Sequence, residues 1–145
     1  VTTEGGLDVA SQVKRLTEVV AGFHEDGIAV SMFIDPDPAQ VEASVQSRAD
    51  AVELHTGAYA NAPEGEKPIE LERLGAAAYL AVDAGLAFHA GHGLTVHNLA
   101  PVAAIPDLRE VNIGHDIIAR AVFIGIEDAV HEILDVLAAA GGAAD

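Results

Sequence analysis

Residues 51–57 read Ala51-Val52-Glu53-Leu54-His55-Thr56-Gly57. A short, mostly apolar run ends in a Thr-Gly turn, and the same design recurs on both sides. Upstream, Ile28-Ala29-Val30-Ser31-Met32-Phe33-Ile34 runs into Asp35-Pro36-Asp37-Pro38. Downstream, Leu86-Ala87-Phe88-His89-Ala90 runs into Gly91-His92-Gly93, and Glu110-Val111-Asn112-Ile113 into Gly114-His115. Short apolar runs closed by Gly or Pro read as buried strands.

Helical periods fill the intervals. Val9, Val13, Leu16, Val19, Val20 and Phe23 recur at three and four, predicting an amphipathic helix over 9–23 that stops at Gly27. Asp37 is placed to cap a second helix, with Pro38 at its first position, running to about Arg48. A polar stretch over 61–68 leads into a long helix over 69–84, stopped by Gly85. A segment over 98–105 is weakened by Pro101. Residues 116–124 and 126–140 read as two closing helices, and the Ala/Gly tail as a frayed end. One helix followed by four strand–helix units argues for a parallel sheet with right-handed crossovers. Such a sheet is either a small doubly wound α/β fold or the C-terminal half of an eight-stranded (β/α) barrel. No G-x-G-x-x-G stands at a strand-to-helix turn, so a dinucleotide fold gains little support.

At 145 residues the chain is one domain's worth of sequence, half of it apolar. With 4% aromatics and no Trp, Ala, Val, Ile and Leu must fill the core. Seven basic against 23 acidic residues give a net charge of −16. That excludes the Lys/Arg footprint of a nucleic-acid binder and opposes an anionic membrane surface. It leaves room for a phosphorylated small molecule, which a few backbone N–H groups can hold. Without cysteine there is no disulfide, thiolate metal site or Cys nucleophile. No apolar run reaches a membrane span and the N-terminal residues show no basic-then-apolar pattern, so a cytoplasmic protein is expected.

The polar residues gather at strand ends, where parallel α/β folds bind ligands. Glu53 and His55 stand at an i,i+2 spacing that points both to one face. A carboxylate in an otherwise apolar strand is costly unless paired, which favours a functional Glu53. Asp35, His92 and His115 follow the first, third and fourth strands. His55 reads equally as a structural histidine, and His115 as the start of a helix. Gly93 and Gly114 either relax a turn or offer N–H groups to a phosphate, as the last two loops of a barrel do. Three histidines and a glutamate allow a metal site, but without H-x-H or H-x-x-x-H pairing none is expected. His24, His89, His97 and His131 read as surface or packing residues.

Five segments carry a resemblance. They are residues 1–9 (Val1-Thr2-Thr3-Glu4-Gly5-Gly6-Leu7-Asp8-Val9), residues 30–35, residues 52–60, Ala90-Gly91-His92-Gly93-Leu94-Thr95, and Val111-Asn112-Ile113-Gly114-His115. In order and spacing they resemble the pyridoxine 5′-phosphate synthase family of vitamin B6 biosynthesis. The resemblance implies a (β/α)8 TIM barrel without cofactor. It also implies condensation of 1-deoxy-D-xylulose 5-phosphate with 3-amino-2-oxopropyl phosphate to pyridoxine 5′-phosphate, phosphate and water. By motif, His92 matches the proton donor and Glu53 the transition-state stabiliser. Gly93, Gly114 and His115 match contacts to the aminooxopropyl phosphate, and Thr2 a contact to the deoxyxylulose phosphate. The resemblance also implies a homo-oligomer, an octamer in intact members.

The family's opening N-x-D-H strand and the His, Arg and Glu groups of its first strands have no match here. The expectation is therefore a single partial barrel domain over residues 1–145, truncated and inactive alone. The alternatives are a non-catalytic, phosphate-binding half-barrel and a small metal-dependent hydrolase. The Ala90–Thr95 and Asn112–His115 motifs together argue against the hydrolase.

Overall fold

The computed structural model describes residues 5–141. Four strands, β1 (Ser31–Ile34), β2 (Ala51–His55), β3 (Ala87–Gly91) and β4 (Leu108–Asn112), form one parallel sheet in the order β1-β2-β3-β4. Each strand pairs with its sequence neighbour. A doubly wound sheet would reverse direction at a switch point, so this order is that of a partial (β/α) barrel.

The helices are α1 (Val13–Glu25), α2 (Pro38–Gln46), α3 (Gly57–Asn61), α4 (Lys67–Asp83), α5 (Leu99–Ala103), α6 (His115–Ile124) and α7 (Ile126–Gly141). The start of α1 tightens into a 3₁₀ turn, Ala10–Gln12. Gln40 explains this: its Oε1 accepts from the N–H groups of Val9 at 2.8 Å and Ala10 at 3.1 Å, groups that a helix start leaves unbonded. Asp37 caps α2 by accepting from the Ala39 N–H at 2.8 Å, with Pro38 at the first turn, as its sequence predicts.

Three boundaries differ from the sequence reading. β1 begins at Ser31, because Val30 is bound by the loop before β2 and not by the ladder. Its N–H donates to the Asp50 carboxylate at 2.7 Å, and its carbonyl accepts from Asp50 and Ala51. The Thr56-Gly57 turn opens into α3, where Asn61 Nδ2 donates to the Gly57 carbonyl at 2.9 Å. β4 starts earlier, at Leu108, because a register shift between Phe88 and His89 lets Leu108 pair with Phe88.

Alternation divides the sheet. Met32, Ile34, Val52, Leu54, Phe88 and Ala90 are buried in one core with Val20, Val41, Leu74, Ala77, Ala78, Ala81, Val102 and Ile133 from the helices. Burying each large side chain contributes about 1.5–3 kcal/mol, and truncating the fully buried Phe88 would cost about 3–5 kcal/mol. The other face carries Phe33, Glu53, His89 and Glu110 side by side in register, followed by the row His55, Gly91 and Asn112. This face positions the site.

The segment before α1 runs beside β1. Leu7 N–H donates to the Phe33 carbonyl at 2.7 Å. A side chain at Gly6 would stand 2.3 Å from the Asp35 backbone nitrogen, so only glycine permits this approach. Among the described residues no helix is long and apolar enough to cross a membrane.

Candidate active site

A cavity of about 680 Å³ opens at the C-terminal ends of the strands. Glu53, His92, Gly93, Asn112, Gly114 and His115 line it, with Phe33, Leu94 and Asp116 among the remaining wall residues. Three separate chain segments thus bring together every described residue that the sequence nominated for catalysis or substrate contact. Thr2 lies outside the described residues.

Glu53 projects from β2 and is half-buried on the open face of the sheet rather than sealed inside the strand layer, as its apolar neighbours suggested. The reason is alternation: Val52 and Leu54 take the helix side. Asn112 Nδ2 donates to Glu53 Oε2 at 3.1 Å and to Glu110 Oε1 at 3.2 Å. Burial pushes the Glu53 carboxyl above the usual carboxylate range, and the Glu110 charge adds to this. His89, the Asn112 bond and His92 pull the other way. A carboxyl raised by desolvation and lining a cavity marks a candidate functional group. Gly91 makes room for it, since a Cβ there would lie 1.9 Å from Glu53 Oε1.

His92 leaves β3 in the left-handed region, at φ 80°. A non-glycine residue held there costs about 1–3 kcal/mol, and such strain persists where the surroundings enforce it. Thr56 supplies the enforcement. Its fully buried hydroxyl lies 2.8 Å from the Gly91 carbonyl oxygen and 2.5 Å from that of His92. The His92 ring faces the His55 ring at a centroid distance of 4.6 Å.

Gly93 follows at φ 77° and packs against Ala60, where a Cβ would meet the Ala60 methyl at 2.8 Å. Gly114 caps α6 at φ −114°, with open space where a Cβ would stand. Its backbone does not demand glycine. His115 is the first residue of α6, so the helix start and its unbonded N–H groups open onto the cavity wall. Such donors with the Gly93 turn can receive a phosphate.

Sequence reading passed over Thr56, Gly91, Asn112 and His89. His89, taken as a surface or packing residue, stands beside Glu53 in register, with Nδ1 3.9 Å from Glu110 Oε1. The i,i+2 pairs Glu53/His55, His89/Gly91 and Glu110/Asn112 were the available signal. They share one face once the register is known. Among the described residues no group of three or more His, Asp or Glu is arranged to hold a metal ion.

Comparison with known proteins matches residues 1–139 to a family described as pyridoxal phosphate biosynthesis protein PdxJ. The pyridoxine 5′-phosphate synthase of Magnetococcus marinus is 54% identical over 133 residues, which is 91% of this chain and 55% of that protein. Those of a Synechococcus and a Nostoc species are 53% and 52% identical over 134 residues, each match spanning 92% of this chain and 56% of the relative. The chain spans about half the length of the curated relatives it matches.

Proposed function

The chain belongs to the PdxJ family of pyridoxal phosphate biosynthesis proteins, and on that premise we propose that it carries the C-terminal part of a pyridoxine 5′-phosphate synthase active site. The substrates are the two keto phosphates 1-deoxy-D-xylulose 5-phosphate and 3-amino-2-oxopropyl phosphate. The products are pyridoxine 5′-phosphate, inorganic phosphate and water. The observation that carries this reading is the convergence of His92, Glu53, Gly93, Gly114 and His115 on one cavity from three strand ends.

Ring closure requires protons to be delivered to leaving hydroxyl groups and removed from carbon and nitrogen. His92, strained outward into the cavity, is the proton donor. Glu53 stabilises positive charge as it develops on the condensing nitrogen, and Asn112 fixes its carboxylate for that purpose. Gly93, in the turn after β3, and Gly114 and His115, at the start of α6, hold the phosphate of the aminooxopropyl substrate through N–H donors. The first-strand groups that supply the family's proton acceptors and much of its phosphate-binding positive charge have no match in this sequence. The outer strands β1 and β4 each have one strand neighbour, which also speaks for a partial barrel. The isolated chain is accordingly expected not to turn over.

The test mixes both keto phosphates with the chain, alone and together with the N-terminal half of a related synthase, and follows pyridoxine 5′-phosphate chromatographically. Product only in the complemented mixture supports the proposal. Phosphate binding without product in either mixture would support a non-catalytic half-barrel instead. Turnover by the chain alone would refute its expected inactivity.

A further inference from the structure

His55 and Asp35 touch none of the proposed phosphate contacts, yet both are built toward His92. The His55 side chain is 12% exposed, with Nδ1 3.2 Å from Asp35 Oδ1. Phe33 meets its ring edge-on at 5.2 Å, the His92 ring lies 4.6 Å from it, and Phe33 and His92 are themselves 6.5 Å apart, so the three rings form one cluster. Gly57 makes the arrangement possible. A Cβ at Gly57 would stand 2.7 Å from His55 Cε1 and 3.2 Å from His92 Cδ2. The Asp35 carboxylate in turn lies 3.3 Å from the Gly6 N–H, its donor in the segment beside β1.

We propose that His55, oriented by Asp35, is a positioning residue that holds the His92 imidazole in the cavity. The backbone of His92 is already fixed by Thr56, but a side chain at φ 80° still has its own torsions to settle. The cavity wall leaves the His92 ring exposed to solvent on one side. Of the two rings beside it, His55 at 4.6 Å is nearer than Phe33 at 6.5 Å, and His55 can present a fixed face only while Asp35 holds its Nδ1 edge. A rigid partner of this kind keeps a proton donor near its productive geometry, where small displacements cost large factors in rate. The catalytic consequence of this positioning rests on the synthase reading, whereas the position of the ring does not.

The test therefore reads the ring directly. In the isotopically labelled chain, a nuclear Overhauser cross-peak is expected between His92 Hδ2 and a Gly57 α-hydrogen, since that hydrogen points along the vacant Cβ direction. Asp35→Asn and His55→Leu should each lose the cross-peak, while His97→Ala should keep it. Asp35 is half-exposed, so Asp35→Asn is expected to fold even if His55→Leu does not. In a complemented, active preparation the same Asp35→Asn change should lower kcat by about 10- to 100-fold with KM little altered. A cross-peak that persists in Asp35→Asn, or that is absent from the wild-type chain, would overturn the proposal. If no preparation turns over, the synthase reading fails and the cross-peak still decides the positioning role.

Discussion

The hydroxyl of Thr56, at the end of β2, sits 2.5 Å from the carbonyl oxygen of His92, just past the end of β3. Thr56 also donates its backbone N–H to the Gly91 carbonyl at 2.8 Å, one more rung at the end of the β2–β3 ladder. The side chain then reaches one residue further and catches the chain as it turns left-handed. A residue inside a strand-end turn thereby secures a strained neighbour on the next strand.

Removing that hydroxyl while keeping the shape should expose the strain. Thr56→Val is expected to lose about 1–3 kcal/mol, the cost of leaving the His92 carbonyl without its hydroxyl partner, while the Gly91 carbonyl keeps the backbone N–H of residue 56. Thr56→Ser keeps the oxygen and should lose less than about 1 kcal/mol. Urea unfolding midpoints compare the two. Equal loss in both variants would show that the methyl, not the hydroxyl, matters.

Gly91 should matter for the carboxylate more than for the fold. Its φ lies outside the left-handed region, so alanine fits the backbone. The added Cβ overlaps Glu53 Oε1, the mobile end of a side chain. Gly91→Ala is expected to cost only about 1–3 kcal/mol by overpacking. The Glu53 carboxyl should swing away from Asn112, and in an active preparation turnover should fall by about 100-fold. Carbon-detected titration of Glu53 reports the displacement, and an unchanged titration curve would refute it.

Glu53 also makes a signed contribution to pH dependence. Its folded-state pKa is raised above the ordinary 4.5, chiefly by burial. Below that ordinary value the carboxyl is protonated in both states and costs nothing. As pH rises above it, the unfolded state ionises first, so stability is lost until the raised folded value is passed. Glu53→Gln should remove this loss. The variant should match the wild type at about pH 4 and be the more stable at about pH 7, while losing the charge that stabilises the condensing nitrogen. Wild-type stability equal to or above that of Glu53→Gln near neutral pH would contradict the burial argument.

The strand-side segment before α1 depends on Gly6. The obstructing atoms for a larger residue are backbone atoms of Ile34 and Asp35, which cannot swing aside. Gly6→Ala should detach the segment and break the Leu7 to Phe33 bond, at a cost of about 1–3 kcal/mol. Amide exchange at Leu7 should accelerate by at least about tenfold, with β2 and β3 unaffected. Undiminished protection at Leu7 would refute the close-approach argument.

The alternation of apolar runs with three-and-four periods was enough to place all four strands and the long helices, because burial on one face imposes a period that sequence carries directly. The Asp37-Pro38 cap and the glycine stop signals were equally legible, being local backbone chemistry. The same local signals brought Glu53, His92, Gly93, Gly114 and His115 to strand ends. They left a half-barrel and a doubly wound sheet both open, since strand order is a matter of which crossovers pack together, and only the paired register resolved it. The face and neighbours of Glu53, the left-handed turn at His92 and the converging roles of Thr56, Gly91, His55 and Asp35 were likewise tertiary decisions. Each depends on atoms separated by 20 to 59 positions in the chain, from His55 and Asp35 to Asn112 and Glu53, meeting within a few ångströms. No periodicity encodes that proximity; it exists only once the parallel ladder has set the strands in register.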